Sequence, residues 1–173
     1  MTEEQQPIRA EMLDTGDERI VSAQIVIDAP PEVIFDILVQ PRRHSEIDGS
    51  RTVQGIIKGP ERLALGDTFK VRMKIRINYW VTNTVLEFEP NRRITWAHLL
   101  GNRWTYELTP LEAGGTLVRE TNNMRAAGWR ASVSPVARNP GIGQRAIAKS
   151  LVRLKRLAES EHPGYGGRTR LPE

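Results

Sequence analysis

Four side chains in the second half of the sequence, His98, Tyr106, Glu120 and Asn122, are of types that move or hold protons. An imidazole and a carboxyl set in apolar surroundings can act as acid and base, removing a proton next to a carbonyl. His98 and Glu120 are the candidate catalytic pair, with Tyr106 and Asn122 placed to orient a substrate carbonyl. Strand parity groups them: if Ile94 faces inward, so do Trp96 and His98. By the same rule Trp104 and Tyr106 share a face with Leu108, and Glu120 and Asn122 share one with Val118. A bulge would reverse any of these assignments. The competing reading for His98 and Glu120 is a satisfied structural hydrogen bond or exposure at a strand end.

The four tryptophans, Trp80, Trp96, Trp104 and Trp129, are confined to the stretch from 80 to 129. Flat, large side chains on successive strands can line a pocket that is mostly apolar with a few placed polar groups. Trp80, Trp96, Trp104, Tyr106, Asn122 and Trp129 are therefore the candidate ligand-binding residues. The competing reading is that the tryptophans fill the core or cover the sheet. His44, His98 and His162 lack the close spacing of a zinc site, and the chain has no cysteine, so no metal is expected. No serine sits in a G-x-S-x-G frame. Asn139-Pro140-Gly141-Ile142-Gly143 lacks the Lys-Ser/Thr pair or third glycine of a phosphate loop and reads as a hinge before a helix. No cofactor is expected.

These residues need strands to hold them. Arg19 to Ile27 reads as the first strand, followed by Ala29-Pro30-Pro31 and a short, largely buried helix from Pro31 to Leu38, proline being tolerated in a first helical turn. Pro41 stops it, and Arg42 to Ile47 forms a second short helix. Strands then follow at Arg51–Ile57, Thr68–Ile77, Tyr79–Phe88, Arg93–Leu99, Arg103–Thr109 and Thr116–Met124, joined by tight turns, as in an antiparallel meander. In the second of these, Phe69, Val71, Met73, Ile75 and Ile77 alternate with Lys70, Arg72, Lys74 and Arg76, giving one apolar and one basic face. Arg125 to Gly141 is a long connection, expected to gate the pocket. From about Gly143 to Glu161, Ile147, Leu151, Leu154 and Ala158 form one apolar stripe on a terminal helix.

The 173 residues suit one domain, and at this length folding buries roughly 70% of the extended chain's surface. The organisation expected is an acidic N-terminal segment at 1–18, its first half at least mobile, a ligand-binding domain at 19–161 and a disordered tail at 162–173. Absence of cysteine fits a cytoplasmic protein, the N-terminus is not a signal peptide, and no apolar run reaches the ~20 residues that span a bilayer. The net charge of +4 hides six acids against Arg9 alone in residues 1–18, so the body is strongly basic. A basic face can serve nucleic acid or an anionic membrane, and a non-enzymatic interaction module using it is the alternative function. The stripe Lys70, Arg72, Lys74, Arg76 lacks the aromatics that single-strand binders use for stacking. It is read as a solvated outer face, with nucleic acid and membrane surfaces not the expected partners. The chain is expected to be a monomer or homodimer.

Three phrases carry a family resemblance. Glu87-Phe88-Glu89-Pro90-Asn91-Arg92-Arg93-Ile94-Thr95-Trp96, Gly115-Thr116-Leu117-Val118-Arg119-Glu120-Thr121 and Pro41-Arg42-Arg43-His44-Ser45-Glu46-Ile47-Asp48-Gly49-Ser50 resemble the polyketide cyclase/dehydrase-like branch of the SRPBCC (START-like, helix-grip) superfamily, over roughly residues 19 to 160. Ile47 departs from the tryptophan many members carry there. The resemblance implies an α+β helix-grip fold: a curved antiparallel β-sheet of about six or seven strands around a long C-terminal α-helix, with two short helices after strand one. It further implies a cavity between sheet and helix for a small hydrophobic ligand (lipid, polyketide-like or aromatic), with cyclase or dehydratase activity as an open extension. The family has no shared catalytic constellation to carry over.

Overall fold

A computed structural model describes residues 8–98, 101–128 and 140–163. Period-two burial builds the sheet. On β2 (Ile20–Ile27), Val21, Ala23, Ile25 and Ile27 all turn to the interior. With β1 (Glu11–Leu13), β3 (Val53–Lys58), β4 (Thr68–Lys74), β5 (Asn78–Glu89), β6 (Arg93–His98), β7 (Arg103–Pro110) and β8 (Thr116–Asn123) it makes one eight-stranded sheet. The order is β1-β2-β8-β7-β6-β5-β4-β3, every pair antiparallel. The meander from β3 to β8 is sequential, and β2 closes against β8 at full length, Ile20 opposite Asn123 and Ile27 opposite Thr116.

Between β2 and β3 lie α1 (Pro31–Leu38), a 3-10 turn at Pro41–Arg43 and α2 (His44–Ile47). Pro31 begins α1 where its missing N–H is no loss, and Ile34, Phe35, Ile37 and Leu38 are buried. The terminal helix α3 (Pro140–Glu161) buries Ile147, Leu151, Leu154 and Ala158 and packs against β2 and the two short helices. Gly49 permits the closest approach: a Cβ there would sit 2.3 Å from the Ala146 carbonyl oxygen and 2.4 Å from the Ser150 amide nitrogen. The Gly49 amide instead donates to Ser150 Oγ at 2.9 Å, and Arg153 Nη1 donates to the Asp48 carbonyl at 2.6 Å. Arg43 pairs with Glu161 at the far end of α3. The α+β helix-grip architecture is thus the fold of this chain.

Several boundaries differ from the sequence expectation. The sheet has eight strands, not six or seven, because Glu11–Leu13 in the acidic segment pairs with Leu13 opposite Ser22. β4 ends at Lys74, so Ile75 and Ile77 leave the apolar face and become exposed at the β4–β5 turn. Helix α3 starts at Pro140. Most of the expected gating connection and most of the tail, 164–173, lie outside the described residues.

Candidate functional site

Strand pairing lays the interior face out in rows. One row reads Ala23, Glu120, Tyr106, Ile94; the next reads Val21, Asn122, Trp104, Trp96, Val85. A third row holds His98, Asn83 and Phe69. Apart from half-buried Trp104 and His98, these side chains are buried, in the same layer as the α3 stripe.

Glu120 is the anomaly of this layer. It is only 3% exposed, and its carboxyl is pushed up to about 8. Loss of hydration is the largest cause, because removing a carboxylate from water favours its neutral form. The Tyr106 hydroxyl, donating to the carboxyl, opposes the rise, and the negative charge of Asp48 adds to it. Tyr106 is itself raised well above its usual value by burial first and Glu120 second. Glu120 Oε2 and Asn122 Oδ1, one row apart on β8, are buried with no hydrogen-bond partner. Native interiors pair more than nine in ten such groups, so these two neighbouring orphans set this spot apart from the rest of the layer.

Beside this polar spot lies an aromatic group. The His44 ring stacks on Trp96 at 4.9 Å and 18°, with Phe69 at its edge at 5.5 Å, and Trp96 meets Tyr106 at 5.6 Å. His44 Nε2 lies 2.8 Å from the Leu38 carbonyl oxygen and donates to it. Burial, only partly offset by that bond, lowers its pKa to about 4, so the ring is neutral at pH 7. Sequence reasoning left His44 on a short helix without a role. The interior position of a helix only four residues long has no periodic signature from which to read it.

The structure brings Glu120, Tyr106, Asn122, Trp96 and Trp104 together on one face and leaves other candidates apart. Trp80 is a correction. It sits opposite Arg72 between inward-facing Tyr79 and Val81, so alternation turns it to the outer face, where it is 63% exposed beneath Lys70 Nζ at 4.7 Å. The His98–Glu120 pair is a second correction. Glu120 shares the row of Ile94, four residues along β6 from His98, and four strand residues span about 13 Å. His98 instead lies 5.4 Å from Trp104, ring to ring, and burial lowers its pKa. Trp129 lies outside the described residues. Among the described residues, no group of His, Asp and Glu could hold a metal ion.

Comparison with known proteins bears on this face. A sequence model described as polyketide cyclase / dehydrase and lipid transport matches residues 18–159. The chain belongs to the polyketide cyclase / dehydrase and lipid transport family. This is the SRPBCC-type assignment that the three sequence phrases suggested, and the family points to hydrophobic ligand binding. The uncharacterized protein Rv0088 of Mycobacterium tuberculosis is 41% identical over 118 residues, which are 68% of this chain and 52% of that protein. The uncharacterized protein MT0096 from another strain of that organism is 40% identical over the same shares. The chain therefore spans about half the length of the curated relatives it matches. Among solved structures, protein Ms6760 from Mycobacterium smegmatis superposes with a TM-score of 0.65 at 13% identity, over 90% of this chain and 100% of that one. The AHSA1-like protein from Aeromonas hydrophila does so at 0.58 and 18%, over 89% and 98%. These structural likenesses establish the helix-grip fold alone.

Proposed function

We propose that this family member binds a small hydrophobic ligand, of lipid, polyketide-like or aromatic type, between the sheet and α3, and that Glu120 and Asn122 hold its polar end. The observation that carries this is the pair of buried, unpartnered atoms Glu120 Oε2 and Asn122 Oδ1 in a layer built largely of apolar side chains. A neutral Glu120 accepts from Tyr106 through one oxygen and offers a proton through the other, while Asn122 Oδ1 accepts. A hydroxyl or enol oxygen on the ligand would meet both needs, since it accepts and donates at one atom. Trp96 and Trp104 supply flat apolar surface beside it.

Glu120 is also suited to acid/base work. A carboxyl titrating near the working pH can give a proton to a carbonyl oxygen or take one from the adjacent carbon. Cyclisation or dehydration would therefore run through Glu120, whose free O–H donates to the substrate carbonyl, while Asn122 Oδ1 accepts from a substrate hydroxyl and Tyr106, its O–H committed to Glu120, holds the carboxyl in place.

The test is a fluorescence titration in a Trp80→Phe background, which removes the exposed outer-face reporter. Long-chain alcohols, fatty acids and polycyclic phenols serve as probes. Binding should change the emission of the interior tryptophans. Asn122→Leu should weaken probe binding by about tenfold or more. A variant that binds every probe as the parent does would reject the assigned polar end.

A further inference from the structure

The β4–β5 hairpin presents a surface that the interior site does not use. Its tip exposes Ile75 and Ile77, which are 57% and 75% accessible, and Trp80 stands on the outer face just above. Single exposed apolar residues are ordinary, but here two isoleucines and a tryptophan crowd one turn. Lys74 and Arg76 flank them, Arg72 and Lys70 follow up β4 opposite Trp80 and Thr82, and no acid occurs between Asp67 and Glu87. The neighbouring edge strand β3 adds Lys58 opposite Lys70 and carries no acid. Lys70 Nζ lies over the Trp80 ring at 4.7 Å.

We propose that this hairpin tip docks the protein onto an anionic lipid bilayer. Ile75 and Ile77 enter the boundary between headgroups and acyl chains, and Trp80 lies at headgroup level. Arg72, Lys74 and Arg76 meet lipid phosphates. Height along the hairpin supports the order: Trp80 is three residues beyond Ile77 along β5, about 10 Å of strand, comparable to the 5–10 Å depth reached by interfacial apolar faces. Tryptophan favours the wet–apolar boundary, and cations close to an anionic leaflet add attraction that salt weakens. The isoleucines distinguish a bilayer from a nucleic acid. Aliphatic side chains at a tip have nothing to stack on in RNA, and among the described residues the one aromatic ring on this face already has Lys70 over it. Docking here is independent of ligand binding on the opposite face of the sheet.

The experiment is vesicle co-sedimentation of the full chain with phosphatidylcholine alone and with phosphatidylcholine containing phosphatidylglycerol, at low and high salt. Binding should require phosphatidylglycerol and fall about tenfold or more at high salt. It should be accompanied by a blue shift of tryptophan emission that is lost in Trp80→Phe. Ile75→Ser with Ile77→Ser, and separately Lys74→Gln with Arg76→Gln, should each weaken binding about tenfold or more with melting temperatures unchanged, since these side chains are exposed. Asn122→Leu should dock as the parent does, which separates this proposal from that of the interior site. No binding to phosphatidylglycerol vesicles would overturn the proposal. So would full binding by the double serine variant, or a single-stranded RNA that binds more tightly than the vesicles.

Discussion

Replacing Glu120 by glutamine keeps the side-chain shape and its approach to Tyr106 but removes its ionisation. In the folded protein the carboxyl titrates at about 8, against an ordinary value of 4.5. Between those values the folded state binds more protons than the unfolded one, so stability falls as pH rises through the window. Each pKa unit is worth about 1.4 kcal/mol, so Glu120 should cost the ligand-free protein roughly 4 kcal/mol more at pH 8.5 than at pH 5. Glu120→Gln lacks that cost. Urea unfolding of both proteins at the two pH values gives the answer as a difference of differences, in which every other titrating group cancels. The variant should be similar to wild type at pH 5 and more stable by several kcal/mol at pH 8.5. A stability gap that does not change with pH would mean that Glu120 ionises as an exposed carboxylate does. The polar site built on it would then fall.

His44 acts with the opposite sign. Its pKa is lowered to about 4 from 6.5, so the unfolded chain binds more protons between these values and stability is lost as pH falls through them. His44→Phe should flatten that acid limb in urea titrations while costing about 1 kcal/mol at pH 7, since the Leu38 carbonyl loses its donor. Gly49→Ala should destabilise by about 1–3 kcal/mol or more in the same assay, because its Cβ meets the α3 backbone at 2.3 and 2.4 Å. A neutral result would mean that the turn after α2 does not pack on α3 there. Leu151→Asp, at a fully buried position, should cost several kcal/mol by placing an unpaired charge in the core. Melting at the wild-type temperature would reject the packing of α3.

Residue pattern made the sheet and α3 legible, because alternation and the Ile147, Leu151, Leu154, Ala158 stripe report burial directly. The same alternation placed Glu120 with Asn122, and Tyr106 with Trp104, on the interior face. It failed where geometry is not local. Nothing in the neighbourhood of Trp80 says which face of β5 is inward, and its size suggested a pocket when its parity put it outside. Face parity also carries no information about rows: His98 and Glu120 share the interior face, yet register separates them by four residues of β6. The bulge between Val85 and Glu87 resets parity along β5 without a glycine or proline to announce it. The exposed Ile75 and Ile77 read as strand residues because their spacing continues that of Phe69, Val71 and Met73. The chain turns before that pattern ends.

Native mass spectrometry of the freshly purified protein tests the central claim most directly. A small apolar molecule should remain bound to the wild-type protein, giving a discrete added mass, and should be depleted in Asn122→Leu. A wild-type protein that carries no added mass, and takes up none of the long-chain alcohols, fatty acids or polycyclic phenols when they are supplied, would contradict it.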